Sequence, residues 1–179
     1  MVVRFHKVFL AGVVCALASP VQAAQLPNPN HYPVGRPTLE CVRDAATRFG
    51  VPTDLMLGVQ SIERGETGQG VNNKNSTQDL GAFQINTIHL PRIQGMGGSR
   101  QDVLNRGCYN ATVASLLMSE ALKMPNKQHL DFYTRASGYH SWTPYHNAIY
   151  RTKLVRYTGQ WQKWLIDNKM GYLVGSPRV

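Results

Sequence analysis

The sequence is poor in acidic residues and contains no long apolar run. Its 179 residues include 10 Asp and Glu against 19 Lys and Arg, which gives a formal net charge of +9. Charged residues make up 16% and apolar residues 42%, so an acidic or charge-rich disordered chain is excluded. No apolar run reaches the roughly 18–20 residues that span a membrane. The length fits one domain, and the excess positive charge indicates either an anionic partner or no more than solubility.

The first 23 residues have the pattern of a secretory signal peptide. A basic start is followed by an apolar run over residues 8–18 and then by Pro20, which breaks the run. Val21 and Ala23 supply small side chains at the −3 and −1 positions, so we expect cleavage after Ala23 and a periplasmic or extracellular protein. The alternative, a short membrane anchor, requires a longer run. Cleavage would leave 17 of the 19 basic residues and a net charge of +7.

Cysteine is scarce as well, with three in the whole sequence. Removal of the signal peptide takes Cys15 and leaves Cys41 and Cys108, and an even pair in an exported protein predicts one disulfide. The bond would close a loop of 67 residues and restrict the unfolded chain by about 4 kcal/mol. Two free thiols are the alternative. No C-x-x-C pair and no ligand spacing of histidines is present, so we expect no metal and no cofactor.

Hydrophobic periodicity predicts a mostly α-helical α+β domain over residues 38–179, after an extended lead-in at residues 24–37. Glycine and asparagine are concentrated at residues 64–80, which predicts turns and a small hairpin there. The expected helices are 39–49 between Thr38 as N-cap and Gly50 as stop, about 53–63, about 110–123, about 127–139, one capped by Thr143 and Pro144, and a packed final helix with Trp161 and Trp164.

Glu63 is the most informative single residue. It follows Met56 and Val59 at helical spacing, so a carboxylate stands at the C-terminal end of an apolar helix face. Burial and the negative end of the helix dipole both disfavour its charged form, so we expect a raised pKa. A carboxyl group that is partly protonated near neutral pH suits a general acid. The structural alternative is a salt-bridged glutamate, for example with Arg64.

The segment from Glu63 through the Asn-rich loop to residues 79–86 (Asp-Leu-Gly-Ala-Phe-Gln-Ile-Asn) resembles the catalytic core of the lysozyme-like lytic transglycosylases. It is most similar to the small exported members that accompany conjugation, type IV pilus and type III secretion machines. Residues 41–51, 107–116 and 138–150 resemble three further family segments, so the resemblance covers roughly residues 38–157. Four positions differ from many family members: Arg64 replaces Ser, Phe83 replaces Met, Gly138 replaces Ala and His140 replaces Asn.

The resemblance implies a lysozyme-like fold with a small hairpin region beside a catalytic cleft. It implies that Glu63 cleaves the bond between N-acetylmuramic acid and N-acetylglucosamine and that a 1,6-anhydro product forms. It assigns substrate binding to Gln84, Tyr139, His140 and Tyr150, with the Tyr139 hydroxyl on the glutamate or the sugar. The implied partners are peptidoglycan glycan strands and components of a secretion, conjugation or pilus apparatus.

Asp79 separates this hypothesis from a hydrolytic one. It follows Glu63 by 16 residues and directly precedes Leu80, where ordinary lysozymes have a second carboxylate. Retaining glycosidases need two carboxyl groups about 5 Å apart, so an Asp79 that faces the cleft would permit hydrolysis. The alternative is that Asp79 caps a hairpin turn through its side chain, and the sequence favours this.

A third hypothesis is a non-catalytic wall-binding module of an envelope-spanning machine. The basic composition and three tryptophans, Trp142, Trp161 and Trp164, would suit such a module. An acid on an apolar helix face has no use in a binding module, so Glu63 argues against it. Lys and Arg are scattered, with no cluster and no aromatic-basic motif, so we expect no nucleic-acid partner.

Overall fold

The computed structural model describes residues 25–175. The predicted signal peptide at residues 1–23, with Cys15, therefore lies outside the described residues. The lead-in from residue 25 to residue 37 has no regular secondary structure except for one 3-10 turn at Pro29–His31. A bridge between Gly35 and Arg106 and a hydrogen bond from Arg106 to the Tyr32 carbonyl oxygen are among the contacts that hold it against the domain.

The first two helices have the predicted bounds. Helix α1 (Leu39–Phe49) begins where the Thr38 hydroxyl accepts a hydrogen bond from the Cys41 amide at 3.2 Å, and it ends at Gly50, whose φ of 66° is left-handed. Helix α2 (Thr53–Glu63) follows directly, and its residues from Thr53 to Val59 are all buried. A helix that is buried on every side is part of the core, so the position of Glu63 at its end is firmly determined.

A small antiparallel sheet follows, in the order β1 (Gly70–Asn72), β2 (Gln78–Leu80) and β3 (Ile85–Asn86). The first two strands form the predicted hairpin. The third strand is too short to show a period of two in the sequence, and it pairs with β2 so that Asp79 lies opposite Asn86.

Three helices build the middle of the domain: α3 (Leu90–Gly95), α4 (Arg100–Asn105) and α5 (Gly107–Lys123). Helix α5 begins three residues before the predicted Asn110. Helix α4 was not predicted, although Ser99 and Asp102 form a capping box at its start. Because α5 is buried on nearly all faces, it is the central helix of the domain.

The C-terminal half differs most from the sequence prediction. The prediction of one helix over residues 127–139 is wrong. Only α6 (Phe132–Ala136) is α-helical there, and it lies between 3-10 turns at Pro125–Lys127 and Ser137–Tyr139. Asp131 caps α6 and so sets its start after Pro125 has ended α5. The prediction of two separate helices after Thr143 is also wrong, because the structure has one continuous helix there, α7 (Pro144–Asp167). Helix α7 crosses α2 and packs against it.

Residues 25–175 therefore form a mostly helical α+β fold with one small antiparallel sheet, as predicted. Cys41 at the start of α1 and Cys108 at the start of α5 form the predicted disulfide, with Cα atoms 5.5 Å apart. None of the helices within residues 25–175 combines the length and the hydropathy of a membrane span.

Candidate active site

Glu63 is the last residue of α2 and lies in a cleft of about 480 Å³ beside the sheet. Arg64 adopts a left-handed conformation with φ 51°, which ends the helix and turns the chain away. The cleft wall comes from β2, β3, the 3-10 turn at Ser137–Tyr139 and the following loop. Its lining includes Glu63, Asp79, Gln84, Asn86, Tyr139, His140 and Trp142.

The pKa of Glu63 is raised from 4.5 to about 7. Burial of the side chain is the largest cause, and the negative charge of Asp79 adds to it. A hydrogen bond from Tyr150 and the positive charge of Lys153 act in the opposite direction. Near neutral pH the carboxyl group is therefore partly protonated and can either give or take a proton.

The hydroxyl of Tyr150 donates a hydrogen bond of 2.7 Å to Glu63 Oε1. The hydroxyl of Tyr139 donates its hydrogen bond to the carbonyl oxygen of Phe83 at 2.8 Å and not to Glu63. Both tyrosines have a pKa well above the usual value, mainly because they are buried, so both hydroxyls keep their protons. Tyr150, on α7, thus has the contact with the glutamate that the sequence suggested for Tyr139.

Gln84 lies in the cleft on a left-handed backbone with φ 51°. Its Nε2 donates to the carbonyl oxygen of Gly81 at 2.9 Å, so part of the amide supports the turn. Among the described residues no hydrogen bond to its side-chain oxygen occurs, so this oxygen can accept one from a ligand. Gly65 packs beneath: a Cβ there would lie 2.0 Å from the Gly81 oxygen and 2.4 Å from Gln84 Nε2.

Asp79 lies in the middle of β2 and faces the same cleft as Glu63. Its Oδ1 accepts a hydrogen bond of 2.7 Å from Asn86 Nδ2 on β3. The prediction that Asp79 caps the hairpin turn is wrong, because Asn75 has this role: its Oδ1 accepts from the Thr77 hydroxyl at 2.7 Å and from the Thr77 amide at 3.3 Å. Asp79 lies outside the turn because β2 begins at Gln78, one residue before it.

His140 stacks on Tyr150, with ring centroids 4.7 Å apart and an interplanar angle of 5°. Loss of solvent around the ring lowers the pKa of His140, and nearby His146 and Lys153 lower it further. These residues line a second hollow of about 200 Å³, which also reaches Glu63. Glu63 thus lies between two hollows, an arrangement that allows an extended ligand to pass the carboxyl group on both sides.

Asn110 holds the cleft wall from behind and was missed as a site residue. It is fully buried on α5. Its Oδ1 accepts from the Phe83 amide at 2.8 Å, and its Nδ2 donates to the carbonyl oxygens of Leu80 at 2.8 Å and Val103 at 2.9 Å. These bonds fix the segment that carries Gln84. The sequence signal that could have indicated this role is the Asn110 amide beside an apolar helix face, because a buried amide needs hydrogen-bond partners.

The site can perform proton transfer at a single partly protonated carboxyl group. Its two sides carry amide, carboxylate, imidazole and indole groups, a mixture that suits a polar ligand with flat faces such as a sugar. Within residues 25–175, no group of three or more His, Cys, Asp or Glu side chains is placed to hold a metal ion.

Comparisons with known proteins find relatives of this chain in Shigella and Salmonella. The chain is 30% identical to "Protein IpgF" of Shigella flexneri over 86 residues, which are 48% of this chain and 57% of that protein. It is 27% identical to "Invasion protein IagB" of Salmonella typhimurium strain SL1344 over 86 residues, which are 48% of this chain and 54% of that protein. No family model matches. The chain thus spans little more than half the length of the curated relatives it matches, one of which is named for invasion.

Proposed function

We propose that the protein is a peptidoglycan lytic transglycosylase with a lysozyme-like fold. The observation that carries the proposal is Glu63, an acid at the end of a buried helix, in a cleft, with a pKa of about 7. The order of the sequence segments that resemble this family supports it.

The chemistry needs one carboxyl group in two roles. Protonated Glu63 gives its proton to the glycosidic oxygen that joins N-acetylmuramic acid to N-acetylglucosamine, the bond from C1 breaks, and an oxocarbenium-like centre forms. The Glu63 carboxylate then takes the proton of the C6 hydroxyl of the same muramic acid. The O6 atom bonds to C1, so a 1,6-anhydro ring closes and no water is consumed. A pKa of about 7 suits both transfers.

The neighbouring residues have supporting roles in this proposal. Tyr150 fixes the orientation of the Glu63 carboxyl group and stabilises its charged form after the first transfer. The free oxygen of Gln84 accepts a hydrogen bond from an acetamido N–H group. His140, stacked on Tyr150, closes the cleft from the other side and contacts the sugar.

A second candidate is a hydrolytic muramidase, because Asp79 faces the same cleft and its charge acts on Glu63. In that reaction Asp79 would serve as the second carboxylate and water would enter the product. The two reactions differ in mass: transglycosylase products are lighter by one water molecule and have no reducing end.

The deciding experiment is digestion of purified peptidoglycan followed by mass spectrometry of the soluble products. We expect anhydro products from the wild type, and a loss of about 10²- to 10⁴-fold in rate for Glu63→Gln. Glu66→Gln is the matched control, because Glu66 is exposed three residues further on and should leave the rate unchanged. Reducing products that disappear in Asp79→Asn would establish the hydrolase instead. Full activity in Glu63→Gln would contradict the catalytic role of Glu63, and no product from the wild type would leave only the non-catalytic wall-binding module.

We also propose that the protein is exported and opens the wall locally for a secretion, conjugation or pilus machine. The pattern of residues 1–23 and the similarity to a protein named for invasion support this. Fractionation of the source cells should yield a periplasmic or secreted form that begins after Ala23. A full-length cytoplasmic form would contradict export.

A further inference from the structure

A third hollow, of about 370 Å³, opens beside the catalytic cleft at the start of α7. Its charged or titratable lining residues are Lys127, His129 and Arg151, and its lining contains no Asp or Glu. Leu130 and Pro144 add apolar surface. Arg151 Nη1 forms an ion pair of 3.4 Å with Asp131 Oδ2, just outside the hollow. No ion pair of the described residues involves Lys127. The hollow is therefore cationic, with apolar surface between its charges.

Trp142 is the wall between this hollow and the catalytic cleft, since its side chain lines both. On the hollow's side Lys127 Nζ lies 5.4 Å from the centre of the Trp142 ring. The ring lies against Gly138: a Cβ at that position would be 2.2 to 2.5 Å from three of its carbon atoms. Because Gly138 has no Cβ, the Trp142 indole can lie against it, in a position where the ring lines both cavities.

We propose that this hollow binds the peptide stem of the substrate strand through a stem carboxylate. The proposal rests on the proposed function, because the stem is attached to a muramic acid held in the cleft. An extended stem of four residues reaches roughly 13 Å, so it can leave the cleft and pass the Trp142 ring. Lys127 and Arg151 pair with the carboxylate, and Trp142, Leu130 and Pro144 contact the aliphatic part. A bare inorganic anion would make no use of this apolar surface.

The binding step can be tested without catalysis. The probe is the free stem tetrapeptide released from purified wall by an amidase, and the readout is the indole N–H signals of the three tryptophans in the NMR spectrum. We expect the Trp142 signal to shift and the Trp161 and Trp164 signals to stay. Lys127→Met should weaken binding about three- to fivefold, as loss of one partly exposed ion pair does. An unmoved Trp142 signal would overturn the proposal.

Two controls sharpen this measurement. Lys163→Met removes one positive charge from the other end of α7, where Lys163 pairs with Asp167 at 2.8 Å, and it should bind the peptide as the wild type does. The same tetrapeptide with amidated carboxyl groups should bind more weakly. Equal binding of the charged and amidated peptides, or equal weakening in both lysine variants, would contradict recognition of a carboxylate in this hollow.

The kinetic consequence is a preference for strands that carry stems. The ratio of kcat/KM on stem-bearing strands to kcat/KM on amidase-stripped strands should fall about three- to fivefold in Lys127→Met and stay at the wild-type value in Lys163→Met. An unchanged ratio in Lys127→Met would overturn the inference and leave the proposed function standing. Cleavage of neither strand by the wild type would contradict the proposed function, and the peptide-binding experiment would then still decide the inference.

Discussion

At the scale of single residues, the chemistry depends on opposing influences on Glu63. Burial and the charge of Asp79 favour the neutral acid, and the hydrogen bond from Tyr150 and the charge of Lys153 favour the carboxylate. Burial is the largest of these influences, so the pKa is raised from 4.5, and the opposing contacts leave it near 7. An acid that must later act as a base needs this balance, since a much higher or lower pKa would favour only one of the two steps.

Removal of the Tyr150 hydroxyl should raise the pKa of Glu63. The hydrogen bond stabilises the charged form, so its loss in Tyr150→Phe should move the pKa upward by about one unit. Tyr139→Phe is the matched control, because the Tyr139 hydroxyl donates to the Phe83 carbonyl oxygen instead. The measurement is an NMR titration of the Glu63 carboxyl carbon. A pKa that falls in Tyr150→Phe, or rises equally in both variants, would contradict this account.

The same raised pKa should make the fold less stable as the pH rises from about 4.5 to about 7. The native carboxyl group holds its proton up to a pH of about 7 and the unfolded one only to about 4.5, so stability decreases as pH rises through this window. Glu63→Gln keeps the shape and cannot ionise. Its free energy of unfolding should match the wild type at pH 4 and exceed it by about 2–3 kcal/mol at pH 8. Thermal unfolding at both pH values checks this, and a difference that does not change with pH would exclude it.

How far the sequence could predict the site depends on the distance between partners along the chain. Glu63 was predictable because Met56 and Val59 precede it on the same helix. Its bond to Tyr150 joins residues 87 positions apart, and helical spacing says nothing about which tyrosine of a distant helix reaches the carboxyl group. The sequence therefore indicated the acid and left open the group that orients it.

At the scale of elements, the crossing of α2 and α7 positions the catalytic group. The Trp161 indole donates to Ser61 Oγ at 2.9 Å, and Gln162 Nε2 donates to Asp54 Oδ2 at 2.7 Å. Arg64 donates to the Tyr157 hydroxyl at 2.9 Å, beside the bond from Tyr150 to Glu63. These contacts run along the whole of α2. They explain why α7 is a single helix although Gly159, which weakens helices, lies in its middle.

Two glycines of this crossing should respond oppositely to alanine. A Cβ at Gly58 would lie 2.8 Å from Thr158 Oγ1 and 3.1 Å from the Thr158 amide nitrogen, so Gly58→Ala should lower the free energy of unfolding by about 1–3 kcal/mol. A Cβ at Gly159 meets nothing within 4 Å, so Gly159→Ala should raise it by about 0.5–1 kcal/mol. Denaturant unfolding measures both. A higher free energy of unfolding in both variants would show that helix propensity, and not the close approach of the helices, decides the outcome, and a lower one in Gly159→Ala would contradict the account of Gly159.

At the scale of the whole molecule, the fold class and the helix caps could be predicted from the sequence. Which distant elements lie side by side could not. Thr38 and Gly50 bound α1 as their chemistry requires, because a cap is a local interaction. Strand β3 is only two residues long, and it is a strand because it pairs with β2, which no local pattern of two residues can predict. The sequence likewise could not show where positive charges lie close together. Lys127 and Arg151 are 24 positions apart, and they line one hollow only because α7 begins beside α6.

The disulfide ties the two halves of the domain together at one end, and its loss should lower stability without abolishing the fold. Cys41 and Cys108 join the first turns of α1 and α5, whereas Ser119 Oγ donates to the Phe49 carbonyl oxygen at 2.8 Å where α1 ends. The two helices therefore stay in contact when the bond is absent. The double variant Cys41→Ala/Cys108→Ala should lose about 4 kcal/mol, because the unfolded chain regains the freedom of a loop of 67 residues. Guanidinium unfolding followed by circular dichroism measures this; Ser119→Ala, which removes one buried hydrogen bond, should lose only about 1 kcal/mol. Loss of helical signal in the double variant before any denaturant is added would show that the core alone cannot hold the fold, and an unchanged midpoint would show that the bond does not restrict the unfolded chain.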